Sequence, residues 1–298
     1  MRIGAVNYLN SKPLVYGLDE LAPDVRLTYD LPSRLADSLA ARRLDVALVP
    51  SVEFFRTPGY VVVSDACVAC RGPVLSVKLH FRVPPAEVRR VALDEGSRTS
   101  AALTQILLAE LCGVRPRWEP LPIGCGLEST DADAVLLIGD RAIADCGLRI
   151  ADCGLQAERP HPKSEIRNPK SDRSQGTNFV EIWDLGERWS EWTGLPFVFA
   201  MWIGRPEIVL AEVGAILSAA RDQGMRHLAQ IAAHEAPILG ISTELAQQYL
   251  CGNLQFQLSG EERTGLRKFY ELCVAHGIAP AGLERVLKEA GKAKVCRQ

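Results

Sequence analysis

Residues 46–51 read Val-Ala-Leu-Val-Pro-Ser, four apolar residues in succession that end at a proline and a serine. A short run without polar alternation is typical of a strand buried on both faces of a parallel sheet. Before it, residues 33–43 place leucines and alanines on one helical face, with Ser33 as the expected cap. After it, residues 52–55 are expected to form a second short helix. This alternation predicts an α/β fold.

The same alternation continues along the chain. We predict further strands and helices, the strands at 3–9, 25–31, 61–63, 74–79, 90–93 and 134–138, and the helices at 101–111, 207–221, 225–234, 243–250, 260–276 and 283–292. A helix start is expected at 10–13, and Cys112-Gly113 is a helix stop signal. Strands that alternate with helices indicate mainly parallel sheets.

Length and charge limit the functional classes. The 298 residues and 32.6 kDa predict two domains or one large domain. A net charge of -2, from 34 Lys+Arg and 36 Asp+Glu, argues against a general nucleic-acid binder. The densest apolar run, 195–203, is far shorter than the ~18–20 residues of a membrane span. Since no signal-peptide pattern opens the sequence, we expect a cytoplasmic protein with no membrane partner.

The nine cysteines are odd in number and irregular in spacing, so thiols are expected. Cys67 and Cys70 have the spacing of a metal or redox pair. A zinc site would need a second such pair or two nearby histidines, and the five histidines are scattered. We therefore expect both residues to be buried core residues, and we expect no metal.

An insertion is predicted at about 144–178. Residues 143–149 are repeated almost unchanged at 150–156, and Ile166 is the only large aliphatic residue from 158 to 178. A segment of this composition buries too little apolar surface to offset its ordering entropy. We expect a disordered surface segment without a functional role.

In open α/β sheets, ligands bind beyond the carboxyl ends of the strands. Four segments follow predicted strands: Asn10-Ser11, Pro50-Ser51, 97–100 and Gly139-Asp140. The segment 97–100, Ser-Arg-Thr-Ser, opens a helix, where unpaired N–H groups and hydroxyls can bind a carboxylate or phosphate. The alternative is that Ser97 only caps the helix. No P-loop or dinucleotide-binding glycine pattern is present.

Three further residues near strand ends are candidates. Ser76, after Gly72-Pro73, could face a ligand or only begin a strand. Glu53 and Asp140 are the acids nearest predicted strand ends, where surface or capping roles compete with catalysis. These residues alone predict a small-anion cleft in a two-lobed α/β protein, and they do not specify a reaction.

Six motifs occur together in one order along the chain. They are Arg2–Leu14 (RIGAVNYLNSKPL), Asp45–Ser51 (DVALVPS), Gly72–Val77 (GPVLSV), Ser97–Ser100 (SRTS), Ala134–Asp140 (AVLLIGD) and Trp192–Phe199 (WTGLPFVF). In this order the chain closely resembles the chorismate dehydratase family of the futalosine route to menaquinone. The resemblance covers most of the chain apart from the insertion.

The resemblance implies a two-lobed type II periplasmic-binding-protein fold with the ligand between the lobes. We expect lobe one at 1–80 plus 205–298 and lobe two at 81–204. The implied activity is that of a hydro-lyase, which removes water from chorismate to give 3-[(1-carboxyvinyl)oxy]benzoate. Because the ring becomes aromatic, no redox cofactor or metal is implied. A dianionic substrate also fits a cleft that is rich in neutral donors and short of acids.

The resemblance also implies residue roles. Asn10 would orient the substrate and stabilise the departing oxygen, and Ser51 and Ser76 would hold the ring or one carboxylate. Ser97, Thr99 and Ser100 would anchor the other carboxylate, with Arg98 either contributing or facing outward. The C3 proton would pass to the substrate's own enolpyruvyl carboxylate or, alternatively, to Glu53.

Three other functions share this fold and stay open. A solute-binding protein is disfavoured by the absence of a signal peptide or lipobox-type cysteine. The dihydroxynaphthoate synthase of the same route has a different N-terminal motif from Tyr8–Pro13. A ligand-sensing regulator would carry a DNA-binding helix pair, which the sequence lacks.

Overall fold

The computed structural model describes residues 1–145, 179–207 and 210–283. Its strands, numbered in chain order, are β1 (Arg2–Val6), β2 (Arg26–Asp30), β3 (Val46–Pro50), β4 (Val61–Cys70), β5 (Val77–Phe81), β6 (Arg90–Asp94), β7 (Arg117–Leu121), β8 (Ala134–Ile138), β9 (Glu181–Asp184), β10 (Phe197–Gly204) and β11 (Leu254–Gln257). Most of the predicted insertion and the predicted helix at 283–292 lie outside the described residues.

The helices in these ranges are α1 (Leu18–Leu21), α2 (Pro32–Ala40), α3 (Val52–Arg56), α4 (Thr99–Cys112), α5 (described over 140–145), α6 (Leu185–Thr193), α7 (Leu210–Arg226), α8 (Leu228–Leu239), α9 (Thr243–Gln247) and α10 (Gly260–Ala275). A 3-10 helix, Leu9–Val15, follows β1, and a π-helix, Gln248–Asn253, precedes β11. None of the helices described is long and apolar enough to cross a membrane.

The strands form two sheets. The first has the order β11-β4-β10-β3-β1-β2, and the second has the order β7-β6-β8-β5-β9. Parallel pairs join β1 to β2 and β3, and β6 to β7 and β8. The predicted buried strand is β3, all five residues of which are buried. Its other neighbour, β10, is antiparallel, because this strand returns from the second sheet to lie between β3 and β4.

The sheets change over at 71–76 and 194–196, not at the predicted lobe boundaries of 80/81 and 204/205. β5 pairs with β8 and β9 in the second sheet, whereas β10 belongs to the first. β10 is an apolar run and β5 alternates apolar with polar residues, and either pattern predicts a strand without specifying its hydrogen-bonding partners. The predicted boundaries therefore assign most of β5 to lobe one and β10 to lobe two, whereas β5 pairs in the second sheet and β10 in the first.

Several local predictions shift by a few residues. Helix α2 starts at Pro32, and its N-cap is Leu31 with no side-chain cap, so Ser33 is not the cap. Likewise the N-cap of α4 is Arg98 rather than Ser97, whereas Gly113 ends the helix in the left-handed conformation as predicted, with φ 70°. Cys67 and Cys70 are buried in β4, as expected of core residues.

The first crossover contains the strained residue Leu75, whose φ is +60°. This conformation is the reason that the predicted strand 74–79 starts only at Val77. The carboxylate of Asp184, at the end of β9, accepts N–H bonds from Val74 at 2.9 Å and Leu75 at 2.7 Å. It also caps α6 by accepting the N–H of Gly186 at 3.0 Å. Asp184 therefore holds the crossover in a conformation that costs about 1–3 kcal/mol locally.

We predict that Asp184→Ala lowers the free energy of unfolding by about 2–4 kcal/mol, because it removes a helix cap and leaves crossover N–H groups unpaired. Asp184→Asn keeps one acceptor oxygen and is expected to lose less than half of that amount. Urea unfolding of the three proteins measures the difference. An alanine variant as stable as the wild type would show that the crossover does not depend on this carboxylate.

Candidate active site

A cleft of about 540 Å³, part of it open to solvent, lies between the two sheets at their strand ends. Val68, Phe199 and Ala200 of the first sheet and Val77 and Ile138 of the second give it apolar walls. Its polar lining comes from both sides: Tyr8, Asn10, Ser11, Ser76, Ser97, Arg98, Thr99 and Ser100. Six of the nine residues predicted from the sequence therefore line one cavity, and Ser51, Glu53 and Asp140 do not.

Asn10 enters the cleft from the 3-10 helix that follows β1. The hydroxyl of Ser11 donates to its Oδ1 at 3.1 Å. An amide whose oxygen already accepts a hydrogen bond presents its NH₂ group as the remaining donor. The geometry thus makes Asn10 a hydrogen-bond donor toward the cleft.

The start of α4 faces Asn10 from the second sheet. Ser97 is half-buried and Ser100 is buried, and both line the cleft. The N–H groups of Thr99, Ser100 and Ala101 belong to the first turn, so they have no partner within the helix. Together with the two serine hydroxyls they form a neutral receptor for an anion, strengthened by the helix dipole.

Hydrogen bonds at the wall of the cleft link the segment of Ser51, after β3, to Thr99 at the start of α4. The Ser51 hydroxyl donates to the carbonyl of Val198 at 2.7 Å and lies 3.4 Å from Thr99 Oγ1. The N–H of Val52 donates to the same Thr99 oxygen at 3.2 Å. Ser51 is fully buried behind the wall. Its hydroxyl therefore joins the sheets, and the direct ligand contact expected from the sequence does not match its position.

Arg98 lines the cleft, but its guanidinium is bound to carboxylates of the first sheet's helices. It donates to Asp37 at 2.6 Å and lies 3.2 Å from Glu53. Glu53 is also 3.6 Å from Arg56. Glu53 therefore lies in ion pairs with two guanidinium groups, and it is not part of the cleft lining. This placement argues against Glu53 as the proton acceptor and leaves Arg98 without a free charge for a ligand.

Asp140 anchors the segment that carries Asn10. Its Oδ1 accepts the N–H of Leu9 at 3.0 Å, so α5 of the second sheet is tied to the 3-10 helix of the first. Burial raises the pKa of Asp140 from 3.8 to about 6, although the Leu9 bond and the charge of Lys12 lower it. Asp140 lies behind the cleft rather than in its lining.

Tyr8 is a lining residue to which the sequence analysis assigned no role. Its ring packs on Gly139, where a Cβ atom would lie 2.8 Å from Tyr8 Cε2, and Gly139 has φ +66°. Burial and the charges of Asp94 and Asp140 raise the pKa of Tyr8 to about 12. Its phenol is therefore a protonated hydrogen-bond donor at neutral pH. The sequence signal that could have identified Tyr8 as a lining residue is its position two residues before Asn10.

We predict that Asp140→Asn gains stability relative to the wild type as pH rises. The raised pKa means that the folded protein binds this proton more tightly than the unfolded chain, so the wild type loses up to about 3 kcal/mol of folding free energy as pH rises from about 4 to just above 6. Asparagine keeps an acceptor for the Leu9 N–H and has no charge to desolvate. Unfolding free energies at pH 5 and 7.5 measure the difference.

Asp24→Asn, at an exposed position, is the control and is expected to show no such trend. If the difference between Asp140→Asn and the wild type were equal at both pH values, burial would not be raising the pKa of this carboxyl.

Solved structures of similar fold include the protein AF1704 from Archaeoglobus fulgidus, with a TM-score of 0.63, 14% identity and coverage of 93% of this chain and 97% of that one. The alkanesulfonate-binding protein SsuA from Xanthomonas axonopodis pv. citri, bound to MOPS, gives 0.61 at 13% identity, with 94% of each chain covered. A Candida albicans protein described as having the generic periplasmic binding protein fold gives 0.60 at 12% identity, covering 97% of this chain and 93% of that one. The predicted two-lobed fold is confirmed.

Comparison of sequences identifies a family, whereas comparison of structures identifies only the fold. A family described as menaquinone biosynthesis matches residues 1–275. The chorismate dehydratase of Thermus thermophilus is 33% identical over 276 residues, covering 90% of this chain and 93% of that protein. With a match that extends from the first strand to the last described helix, the chain belongs to the menaquinone biosynthesis family.

Proposed function

We propose that this protein is a carbon-oxygen lyase that removes water from chorismate to give 3-[(1-carboxyvinyl)oxy]benzoate. The observation that carries the proposal is that donors from both sheets converge on one cleft, in a chain 33% identical to a chorismate dehydratase. Asn10 and the start of α4 face each other there. Cytoplasmic location stays a prediction.

Substrate binding requires two carboxylates to be held. Ser97, Ser100 and the free N–H groups of the α4 first turn receive one carboxylate, where the helix dipole favours negative charge. Ser76, in the crossover just before β5, also lines the cleft and donates to the ring or to the second carboxylate. Because the guanidinium of Arg98 is already paired with Asp37 and Glu53, the site binds a dianion mainly through neutral donors.

The reaction is an elimination that breaks two bonds. The C3–H bond gives its proton to a base, and its electron pair forms the ring double bond as the C4–O bond breaks. The leaving hydroxyl takes up the proton that the base has accepted and departs as water, so the base is regenerated and the ring becomes aromatic. The NH₂ group of Asn10 donates to the departing oxygen as negative charge develops on it.

The proton acceptor in this proposal is the substrate's enolpyruvyl carboxylate. That group is attached through oxygen to C3, so it reaches the C3 proton without a protein base. Glu53 is the alternative, but its carboxylate lies between Arg98 and Arg56 and does not line the cleft. The apolar walls around Phe199 and Ala200 exclude water from the carboxylate and so strengthen it as a base.

Three residues change role relative to the expectation from the sequence. Ser51, Thr99 and Arg98 hold the two sheets together across the cleft rather than contact the reacting atoms. Asp140 fixes the segment that carries Asn10. Asn10, Ser76, Ser97 and Ser100 remain as the proposed substrate contacts.

Incubation of the purified protein with chorismate is expected to produce the ultraviolet spectrum of a substituted benzoate. Asn10→Ala is expected to lower kcat by about 10²–10³, the usual cost of removing one donor to a developing negative charge. Asn7→Ala, an exposed neighbour, serves as the matched control and keeps wild-type activity. Chorismate that binds and is recovered unchanged would instead indicate a solute-binding protein, and an unaffected Asn10→Ala variant would remove this amide from the mechanism.

Glu53→Gln separates the two candidate bases. With the substrate carboxylate as the base, this substitution is expected to leave kcat within about fivefold of the wild type, since loss of a positioned general base costs about 10²–10⁴. The pH profile of kcat is expected to be unchanged. A loss of a hundredfold or more, in a variant that unfolds at the wild-type temperature, would assign proton abstraction to Glu53.

A further inference from the structure

Tyr249 is a fully buried tyrosine on the π-helix that precedes β11. Its hydroxyl has no partner in ordinary hydrogen-bond geometry within the described ranges. Buried hydroxyls are nearly always paired in native proteins, so an exception calls for a reason. π-Helical turns are also found frequently at functional sites.

The π-helix is fastened directly to the crossover that carries Ser76. Asn253, its last residue, donates from Nδ2 to the carbonyl of Pro73 at 2.8 Å. The next residue, Leu254, pairs with Cys70 at the end of β4. These contacts bring the π-helix against residues 70–76, behind the cleft.

In this position the Tyr249 oxygen lies within reach of the side chains of Ser76 and Asn10, which act toward it as hydrogen-bond donors and lower its pKa. Burial has the larger, opposite effect and raises the pKa of Tyr249 far above its ordinary value. The phenol is thus protonated and meets two polar residues of the cleft.

A hydrogen bond with Tyr249 would orient both Asn10 and Ser76. Asn10 Oδ1 accepts from Ser11, so its NH₂ group is the donor, and the Tyr249 oxygen can accept one of its two N–H bonds while the other is turned to the cleft. Ser76 follows the strained Leu75 and is 2% exposed, so its hydroxyl has few alternative partners.

We propose that Tyr249 is a positioning residue whose hydroxyl aligns Asn10 and Ser76 for the elimination. This inference rests on the proposed function. It assigns Tyr249 no direct contact with the reacting atoms, since this residue is not part of the cleft lining.

Tyr249→Phe removes only the hydroxyl oxygen. It is expected to lower kcat for chorismate about five- to tenfold, the range that one net hydrogen bond supports, with a smaller change in KM and an unchanged unfolding temperature. Tyr270→Phe is the matched control. Tyr270 is equally buried, but its hydroxyl binds the carbonyl of Pro280 and the N–H of Leu283. Its loss is expected to lower the unfolding temperature and leave kcat unchanged.

Two further measurements test the route through Asn10 and Ser76. The side-chain NH₂ resonance of Asn10, assigned by its loss in Asn10→Ala, is expected to shift in Tyr249→Phe and not in Tyr270→Phe. Tyr249→Phe combined with Ser76→Ala is expected to cost less in kcat than the product of the two single effects. The resonance shift can be read whether or not the variant turns over substrate.

Wild-type kcat in Tyr249→Phe, an unmoved Asn10 resonance or strictly multiplicative effects with Ser76→Ala would each overturn the positioning role. A fall in activity that follows only a fall in the folded fraction would also overturn it. Failure of the proposed function has a different signature, because the wild-type protein would then leave chorismate unchanged.

Discussion

The first turn of α4 joins the two sheets by hydrogen bonds, and the polar lining of the cleft depends on this contact. The N–H of Val52 donates to Thr99 Oγ1, and Ser51 lies beside the same oxygen while its own N–H binds the carbonyl of Phe199. The hydroxyl and amide groups that mark these strand ends in the sequence therefore have two uses. Some hold the walls together, and the others remain free to bind a ligand.

Charge in this region is compensated before any ligand arrives. Asp94 is buried and paired with Arg141, and Asp184 accepts several backbone N–H bonds. Arg98 is occupied by Asp37 and Glu53. A buried charge without a partner lowers the stability of the folded state, so such pairing is needed for stability. It also leaves neutral N–H and O–H groups as the main donors, and these suit a dianion that must be released again as a dianionic product.

The fold is shared with ligand-binding proteins such as the alkanesulfonate-binding protein. A strand-end cleft with a helix N-terminus serves anion binding in either case, and fold alone does not distinguish binding from catalysis. In this site Asn10 offers an NH₂ donor because Ser11 occupies its oxygen. Binding becomes elimination only if a donor of this kind meets the oxygen that leaves.

The sequence by itself determined the local structure and the chemistry of the cleft. The apolar run at 46–49 predicted a buried strand, Gly113 predicted a helix end, and Asn10, Ser76 and residues 97–100 were predicted at strand ends, because these signals are carried by neighbouring residues. Tertiary structure alone decided which strands pair, so β10 and β5 were assigned to the wrong sheets. It also decided that Ser51 and Arg98 bridge the sheets and that Asp140 accepts the N–H of Leu9. In the same way it decided that Tyr249 lies near Asn10, although the two are 239 positions apart in the chain. Such contacts depend on how elements distant in sequence pack in space, and no local pattern of residue types records that packing.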